Sequence, residues 1–186
     1  MWVYPNDTRK MITIHDVKQG TPEWHLAHKD KWSGSTAIYL LRGKKMPEWS
    51  TFAGNNTTHR GKFLEPATIR EFEVAMDAPG GVLNVGYVSN SKYPNAMFSP
   101  DGIFGDTLLE GKAPEKVHYD KIILGEKDLY KYVDLEYLCQ IYFGMVICEL
   151  KKAKLLVPDP NTINQLVIID IPYNQTIIDN IKSKLC

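Results

Sequence analysis

Apolar and polar positions along the chain repeat with two different periods, and the switches between them divide it into elements. Near the end, Ile177, Ile178, Ile181 and Leu185 recur at three- and four-residue spacing, which predicts a closing helix over 173–185. Leu135, Leu138, Tyr142, Met145 and Val146 keep the same rhythm and predict a helix over 134–148. A third helix is expected over about 58–76, bent at Pro66. Thr21 ahead of Pro22, Glu23 and Trp24 has the layout of an N-cap followed by proline in the first helical turn. Ser33-Gly34-Ser35-Thr36 predicts a turn that caps a short helix over Ala37–Leu41. Residues 43–56 are polar and loop-like. Strands are expected over 82–89, 154–157 and 165–171. Between them, 96–99, 103–104 and 107–112 read as short antiparallel strands, with turns at Pro100-Asp101-Gly102 and Gly105-Asp106. Helices, a central meander and then mixed elements predict an α/β (α+β mixed) fold, a sheet covered by helices.

Composition narrows the class. The 186 residues are 44% apolar and 24% charged, values of an ordinary globular chain and not of a disordered one. That length suits a single domain over 1–186. The longest mostly apolar run, 137–148, is 12 residues long and broken by Gln140, too short to span a bilayer. The first seven residues lack the basic-then-apolar layout of a secretion signal. Three cysteines without metal-ligand spacing point to reduced thiols, so a cytoplasmic protein with no membrane partner is expected.

Net charge is zero, from 22 basic and 22 acidic side chains, which argues against a general polyanion binder. The charges are unevenly placed. Residues 1–62 carry 10 Lys and Arg against 5 Asp and Glu, and four of the five histidines, His15, His25, His28 and His59, fall in the same third. This asymmetry fits either solvated faces or a segment that faces nucleic acid beside an acidic, metal-binding one.

The segment with the most chemistry is Ser99-Pro100-Asp101-Gly102 followed by Leu109-Glu110-Gly111-Lys112. The strand period of two places Glu110 and Lys112 on one face and Gly111 on the other. A tight turn would return Asp101 to the side of Glu110. Two carboxylates together are hard oxygen ligands for Mg2+ or Mn2+. A lysine beside them orients or deprotonates a water and stabilises charge on a phosphate. Taken alone, the pattern also fits a hairpin with surface charges. His25 and His28 have helical spacing but no third soft ligand, so zinc is not indicated. Trp24 reads as a core residue, with base stacking as the alternative. Arg42, Lys44 and Lys45 are either a solvated turn or phosphate contacts. Gly43-Lys44-Lys45 lacks the spacing of a P-loop, and Ser33 and Ser35 lack the context of a nucleophile elbow.

Four blocks, in order, resemble one family. They are Gln19-Gly20-Thr21-Pro22-Glu23-Trp24-His25 with Ser33-Gly34-Ser35; Arg60-Gly61-Lys62-Phe63-Leu64-Glu65-Pro66; Ser99-Pro100-Asp101-Gly102 with Glu110-Gly111-Lys112-Ala113-Pro114; and Tyr137-Leu138-Cys139-Gln140. Together they are similar to the lambda-exonuclease-like (YqaJ-type) viral recombinases of the PD-(D/E)xK nuclease superfamily.

The resemblance implies a restriction-endonuclease-like core, a mixed central β-sheet flanked by helices. It implies degradation of linear double-stranded DNA from 5′ ends with Mg2+, Mn2+ being able to substitute, leaving 3′ tails for recombination. A homotrimeric ring and a single-strand annealing partner are implied as well, in the cytoplasm of a bacterial host. By position, Asp101, Glu110 and the Gly111 carbonyl would hold metal. Lys112 would act on the attacking water, with Glu65 and Gln140 in supporting catalytic places. Ser35, Ser99 and His118 would lie near the terminal phosphate, and His28 stands where such enzymes carry an arginine for it. Glycine at 111 departs from the branched apolar residue usual there. A related nuclease that nicks or cuts internally, and a DNA-binding recombination protein with a decayed nuclease site, are the rival readings.

Overall fold

The computed structural model describes residues 11–47, 56–124, 129–162 and 165–186, with side chains of the helix that begins at Asn56 described from Phe63 onward. Trp49 and the side chains of His59, Arg60 and Lys62 therefore lie outside the described residues, as does the N-terminal segment.

The chain runs through β1 (Ile12–His15), α1 (Pro22–His28), a 3-10 turn (Gly34–Thr36), α2 (Ala37–Leu41), α3 (Asn56–Ala75), β2 (Tyr87–Asn90), β3 (Met97–Phe98), β4 (Gly102–Phe104), β5 (Thr107–Gly111), α4 (Lys116–Leu124), α5 (Leu129–Tyr132), α6 (Leu135–Ile147), β6 (Lys152–Pro158), β7 (Leu166–Ile171) and α7 (Gln175–Leu185). The expected single sheet is in fact two. β1, β2 and β3 form an antiparallel sheet. β4, β5, β6 and β7 form a mixed one, in which only the β5–β6 pair is parallel. A parallel pair needs a long crossover, and α4, α5 and α6 supply it.

The two sheets share one helix. α6 packs on β2 and β3 of the first sheet and on β5 and β6 of the second. Nine of its thirteen residues are buried, from Leu138 to Ile147, so a helix apolar on most sides is the central pillar of the core. β5 and β6 are covered on both faces: Thr107, Leu108, Leu109 and Glu110 are buried in succession, as are Leu155, Leu156 and Val157. α7 closes this core with Ile178, Ile181 and Leu185, the stripe legible in the sequence.

The differences from expectation fall where the chain changes sheets. Of the strand expected over 82–89, only Tyr87–Asn90 pairs in a ladder, while Leu83 makes a single bridge to Ile103. Gly86 lies flat against Val17, where a Cβ would meet the Val17 carbonyl oxygen at 2.0 Å, and this crossing occupies the would-be strand. The strand at 96–99 shortens to Met97–Phe98 and pairs with β2, not with its sequence neighbour β4. Pro100 has no N–H to offer a ladder, and Ser99-Pro100-Asp101 carries the chain from one sheet to the other. Asp101 thus stands at the junction of the sheets. α3 continues through Pro66, with the Thr68 hydroxyl donating to the Leu64 carbonyl at 3.0 Å within the turn around the proline. β1, α4 and α5 had no counterpart in the sequence reading. Among the described residues no helix is long and apolar enough to cross a membrane.

Candidate active site

A cleft of 630 Å³ opens where α1, the 3-10 turn, α3, β5 and α6 meet. Gln19, Trp24, His28, Ser35, Glu65 and Ser99 are on its walls, with Asp101, Glu110, Gly111, Lys112 and Gln140. Residues drawn from four separate sequence blocks therefore share one cavity.

Its floor is β5. Gly102 pairs with Leu109 across the β4–β5 hairpin, which brings Asp101 beside the end of β5. The Gly111 N–H donates to Asp101 Oδ2 at 2.7 Å. Glu110 is 1% exposed, and its Oε1 accepts from the Lys112 ammonium at 2.7 Å. The Gln140 amide, on α6, also donates to Glu110 Oε1, and its carbonyl oxygen accepts from Lys112 at 3.1 Å. Glu110, Lys112 and Gln140 thus form a closed triangle. The Lys112 ammonium also lies 5.4 Å over the ring of Tyr137, a distance at which a cation is attracted by the ring face.

The electrostatics show a site short of positive charge. Burial pushes the Glu110 carboxyl up to about 8, and the neighbouring Asp101 charge adds to the shift. Asp101 is raised too, again by burial, against the pull of Lys112 and the Gly111 amide. Burial works against the Lys112 charge, but Glu110 and Asp101 outweigh it and hold its pKa above the ordinary range. Glu110 Oε2 is buried and has no hydrogen-bond partner, an arrangement that is unfavourable until a proton, a donor or a cation completes it.

The donor set fits a divalent cation: two carboxylates lining one cleft, one carboxylate oxygen without a partner, and Gly111 beside them in the chain. Among the described residues no three His, Cys, Asp or Glu side chains converge into a cage. Two carboxylates are a donor set that Mg2+, which keeps several waters, commonly takes. Glu65 lines the same cleft from α3, and its charge contributes to raising Glu110, so it faces the site from outside that pair.

The residues expected at a terminal phosphate divide. Ser35 is exposed on the rim, its hydroxyl 3.1 Å from that of Ser33. His28 and Ser99 are on the wall but bonded to the protein. His28 is 3% exposed, with Nδ1 2.7 Å from the Trp24 carbonyl and Nε2 3.2 Å from Ser99 Oγ. Burial lowers its pKa despite the Trp24 bond, and His25 and Lys31 lower it further. The lowered pKa favours the neutral ring of His28, at the position where the resemblance implies an arginine. His118 is not brought to the cleft: it is exposed on α4, in a separate depression with Lys121 and Tyr130 that meets the cleft only through Tyr137. Trp24, expected as core, is a partly exposed wall of the cleft.

Three residues of the site carried no assignment from sequence. Gln19 donates to the Pro100 and Val85 carbonyls at 3.3 Å. Tyr137 supplies the ring beneath Lys112. Gly34 allows Gln140 and Phe98 to approach so closely that a Cβ there would lie 2.8 Å from each. All three belong to the blocks that carried the resemblance, which was the available signal.

No curated protein matches the chain. Among solved structures, it is similar to LHK-Exo, an alkaline exonuclease from Laribacter hongkongensis, at 21% identity over 89% of both chains with a TM-score of 0.70; that protein is also known in complex with dAMP. It is similar at 16% identity to a phage-related exonuclease from Haemophilus somnus 129PT, over 92% of this chain and 91% of that one, with a TM-score of 0.55. At these identities the likeness establishes the fold, a mixed sheet flanked by helices as in these exonucleases. Residues 23–151, which hold the whole cleft floor, match the model of the YqaJ-like viral recombinase domain, and the chain belongs to that family.

Proposed function

We propose that the protein is a Mg2+-dependent exonuclease that degrades linear double-stranded DNA from its 5′ ends and leaves 3′ single-stranded tails for recombination. One observation carries the reading: the buried, unpartnered Glu110 Oε2 beside Asp101, with the Lys112 ammonium on the opposite oxygen of the same carboxylate. Family membership and the exonuclease fold support it.

Asp101, Glu110 and the Gly111 carbonyl would hold Mg2+, or Mn2+ in its place. When bound, the cation supplies charge stabilisation at the scissile phosphate and lowers the pKa of water. Lys112 stays protonated beside Glu110, so its part is to orient the attacking water by donating to it and to offset charge growing on the phosphate. Gln140 holds Glu110 and Lys112 in register. Glu65 faces the cleft from α3 and takes an outer place, through water. Ser35, exposed on the rim, receives the terminal phosphate. Arg42, Lys44 and Lys45 are exposed after α2 and suit contact with the duplex backbone. A cyclic homotrimer would enclose the duplex and confine activity to ends, and a single-strand annealing protein would take up the product.

Duplex labelled at either the 5′ or the 3′ end tests the polarity, with Mg2+ and with EDTA. Release from 5′ ends only, dependent on the metal, is the expected result. Cutting of covalently closed circles would overturn the exonuclease reading in favour of an internal cutter. Light scattering at working concentration tests the ring, and a monomer there would remove it.

A further inference from the structure

Two hydrogen bonds join α1 to the residue two before Asp101, and a third within α1 closes the loop. The Trp24 indole N–H donates to Ser99 Oγ at 3.0 Å. Ser99 Oγ lies 3.2 Å from His28 Nε2, and His28 Nδ1 lies 2.7 Å from the Trp24 carbonyl. A carbonyl only accepts, so Nδ1 carries the ring proton, and Nε2 takes the hydrogen of Ser99. The loop closes on itself, and the Trp24 and His28 rings lie 3.7 Å apart, which fixes their orientation. Gln19, just ahead of α1, grips the next residue by donating to the Pro100 carbonyl at 3.3 Å. On its far side, Asp101 is held by the Gly111 N–H at 2.7 Å.

We propose that Gln19, Trp24 and His28 form a positioning clamp on Ser99-Pro100, which sets the Asp101 carboxylate opposite Glu110 at the junction of the two sheets. The clamp rests on the reading of Asp101 as a metal ligand. It gives Ser99 and His28 a task other than contact with the DNA end. The Ser99 hydroxyl hydrogen is committed to His28, and donation to a phosphate would require the loop to open. Partners behind a ligand commonly change metal affinity by about 10–100-fold when removed.

Trp24→Phe is the least disruptive test, since it keeps an aromatic ring against His28 and removes one donor; Ser99→Ala removes the junction. Two readouts are needed, both in the absence of turnover. Hydrogen–deuterium exchange of the backbone at 109–112 in metal-free protein reads the hold of Asp101 on the Gly111 N–H, and should quicken in both variants. Mn2+ affinity by calorimetry should weaken about tenfold, while duplex affinity in EDTA and the ratio of rates on 5′-phosphorylated and 5′-hydroxyl ends stay at wild-type values. Unchanged exchange overturns the clamp. So does loss of end discrimination with Mn2+ affinity intact. Wild-type protein that binds no Mn2+, with exchange still quickened in the variants, overturns the metal reading alone and leaves the clamp standing.

Discussion

Lys112 and Glu110 form an ion pair of 2.7 Å in which only one carboxylate oxygen is used. With both carboxylates ionised, Asp101 would leave an excess of negative charge beside this pair, which is why both are shifted toward the protonated form, and Glu110 Oε2 is buried without a partner. Lysine is thus a built-in but incomplete counter-ion. Removing it in Lys112→Ala should slow single-turnover cleavage by about 10²–10³-fold, the range for losing one donor aimed at developing charge. Duplex affinity should hardly change, because one phosphate contact among many is lost. Weak binding with normal cleavage once bound would show that the role lies in DNA affinity.

Metal should stabilise the fold through the same carboxylates. A cation that binds only the folded state adds about 2.7 kcal/mol at a hundredfold excess over its Kd. For a chain of this size that corresponds to roughly 5–10 °C in Tm. Ca2+ and Mg2+ should both give the rise, Mg2+ alone should give turnover, since the looser shell of Ca2+ misplaces the water. Asp101→Asn should lose both effects. A Tm in wild type indifferent to either ion would place the cation elsewhere or nowhere.

The acid limit of stability should depend on His28. Its folded-state pKa is lowered by burial and by His25 and Lys31, with the Trp24 carbonyl opposing. Below about 6.5 the unfolded chain takes up a proton there that the folded ring resists. The unfolded state then binds more protons, so stability is present above that pH and is lost as pH falls. His15 is shifted the same way, by burial and Lys31, and is kept constant in the comparison. Urea denaturation in EDTA between pH 7.5 and 5 should show a shallower fall for His28→Gln than for wild type. His28→Arg forces a charge into the buried slot and should be less stable at every pH, with no gain in preference for 5′-phosphorylated ends. A stronger preference in that variant would return His28 to the phosphate.

What was legible in the sequence was whatever one element determines by itself. The stripe of α7, the apolar face of α6 and the capping of α1 depend on residues three or four apart, and they stand close to where spacing put them, whereas the Ser33–Thr36 box caps a 3-10 turn ahead of α2 and not α2 itself. The Asp101, Glu110 and Lys112 set was legible because a short hairpin and a period of two suffice to bring it together. Sheet membership was not, since the pairing of β3 with β2 is decided by the crossing at Pro100 and by the space Gly86 leaves beside Val17, neither of which is local. β1 is a four-residue strand with no clean alternation, and α4 buries only Tyr119 and Ile122 while Val117 and Leu124 stay exposed. The resemblance put His28 where an arginine would meet a terminal phosphate, and in the fold it lies on the cleft wall. Its chemistry there is set by Trp24 and Ser99, partners that only the folded chain supplies.

Gly34 provides a test of the Gln140 geometry without touching the charged residues. An alanine Cβ at this position would lie 2.8 Å from Gln140 Cγ and 2.8 Å from the Phe98 ring. Phe98 is 1% exposed and packed against Phe143, so it has no room to retreat. Gln140 is nearer the open cleft and must yield, which pulls its amide from Glu110 and its carbonyl oxygen from Lys112. Gly34→Ala should therefore slow cleavage about as much as Gln140→Ala, with Mn2+ and duplex affinities kept. It should also lower stability by about 1–3 kcal/mol, the usual range for overpacking. The two substitutions compete for one space, so they should not add. In a Gln140→Ala background, Gly34→Ala should lose most of its kinetic effect, because the truncated side chain no longer meets the new methyl group, while the contact with Phe98 keeps part of its stability cost. Measuring cleavage and urea stability for the wild type, the two single variants and the double variant closes the cycle. Full additivity in the cleavage rates would mean that Gly34 acts through Phe98 and the core, and that Gln140 is not held in place from the Ser33-Gly34-Ser35 turn.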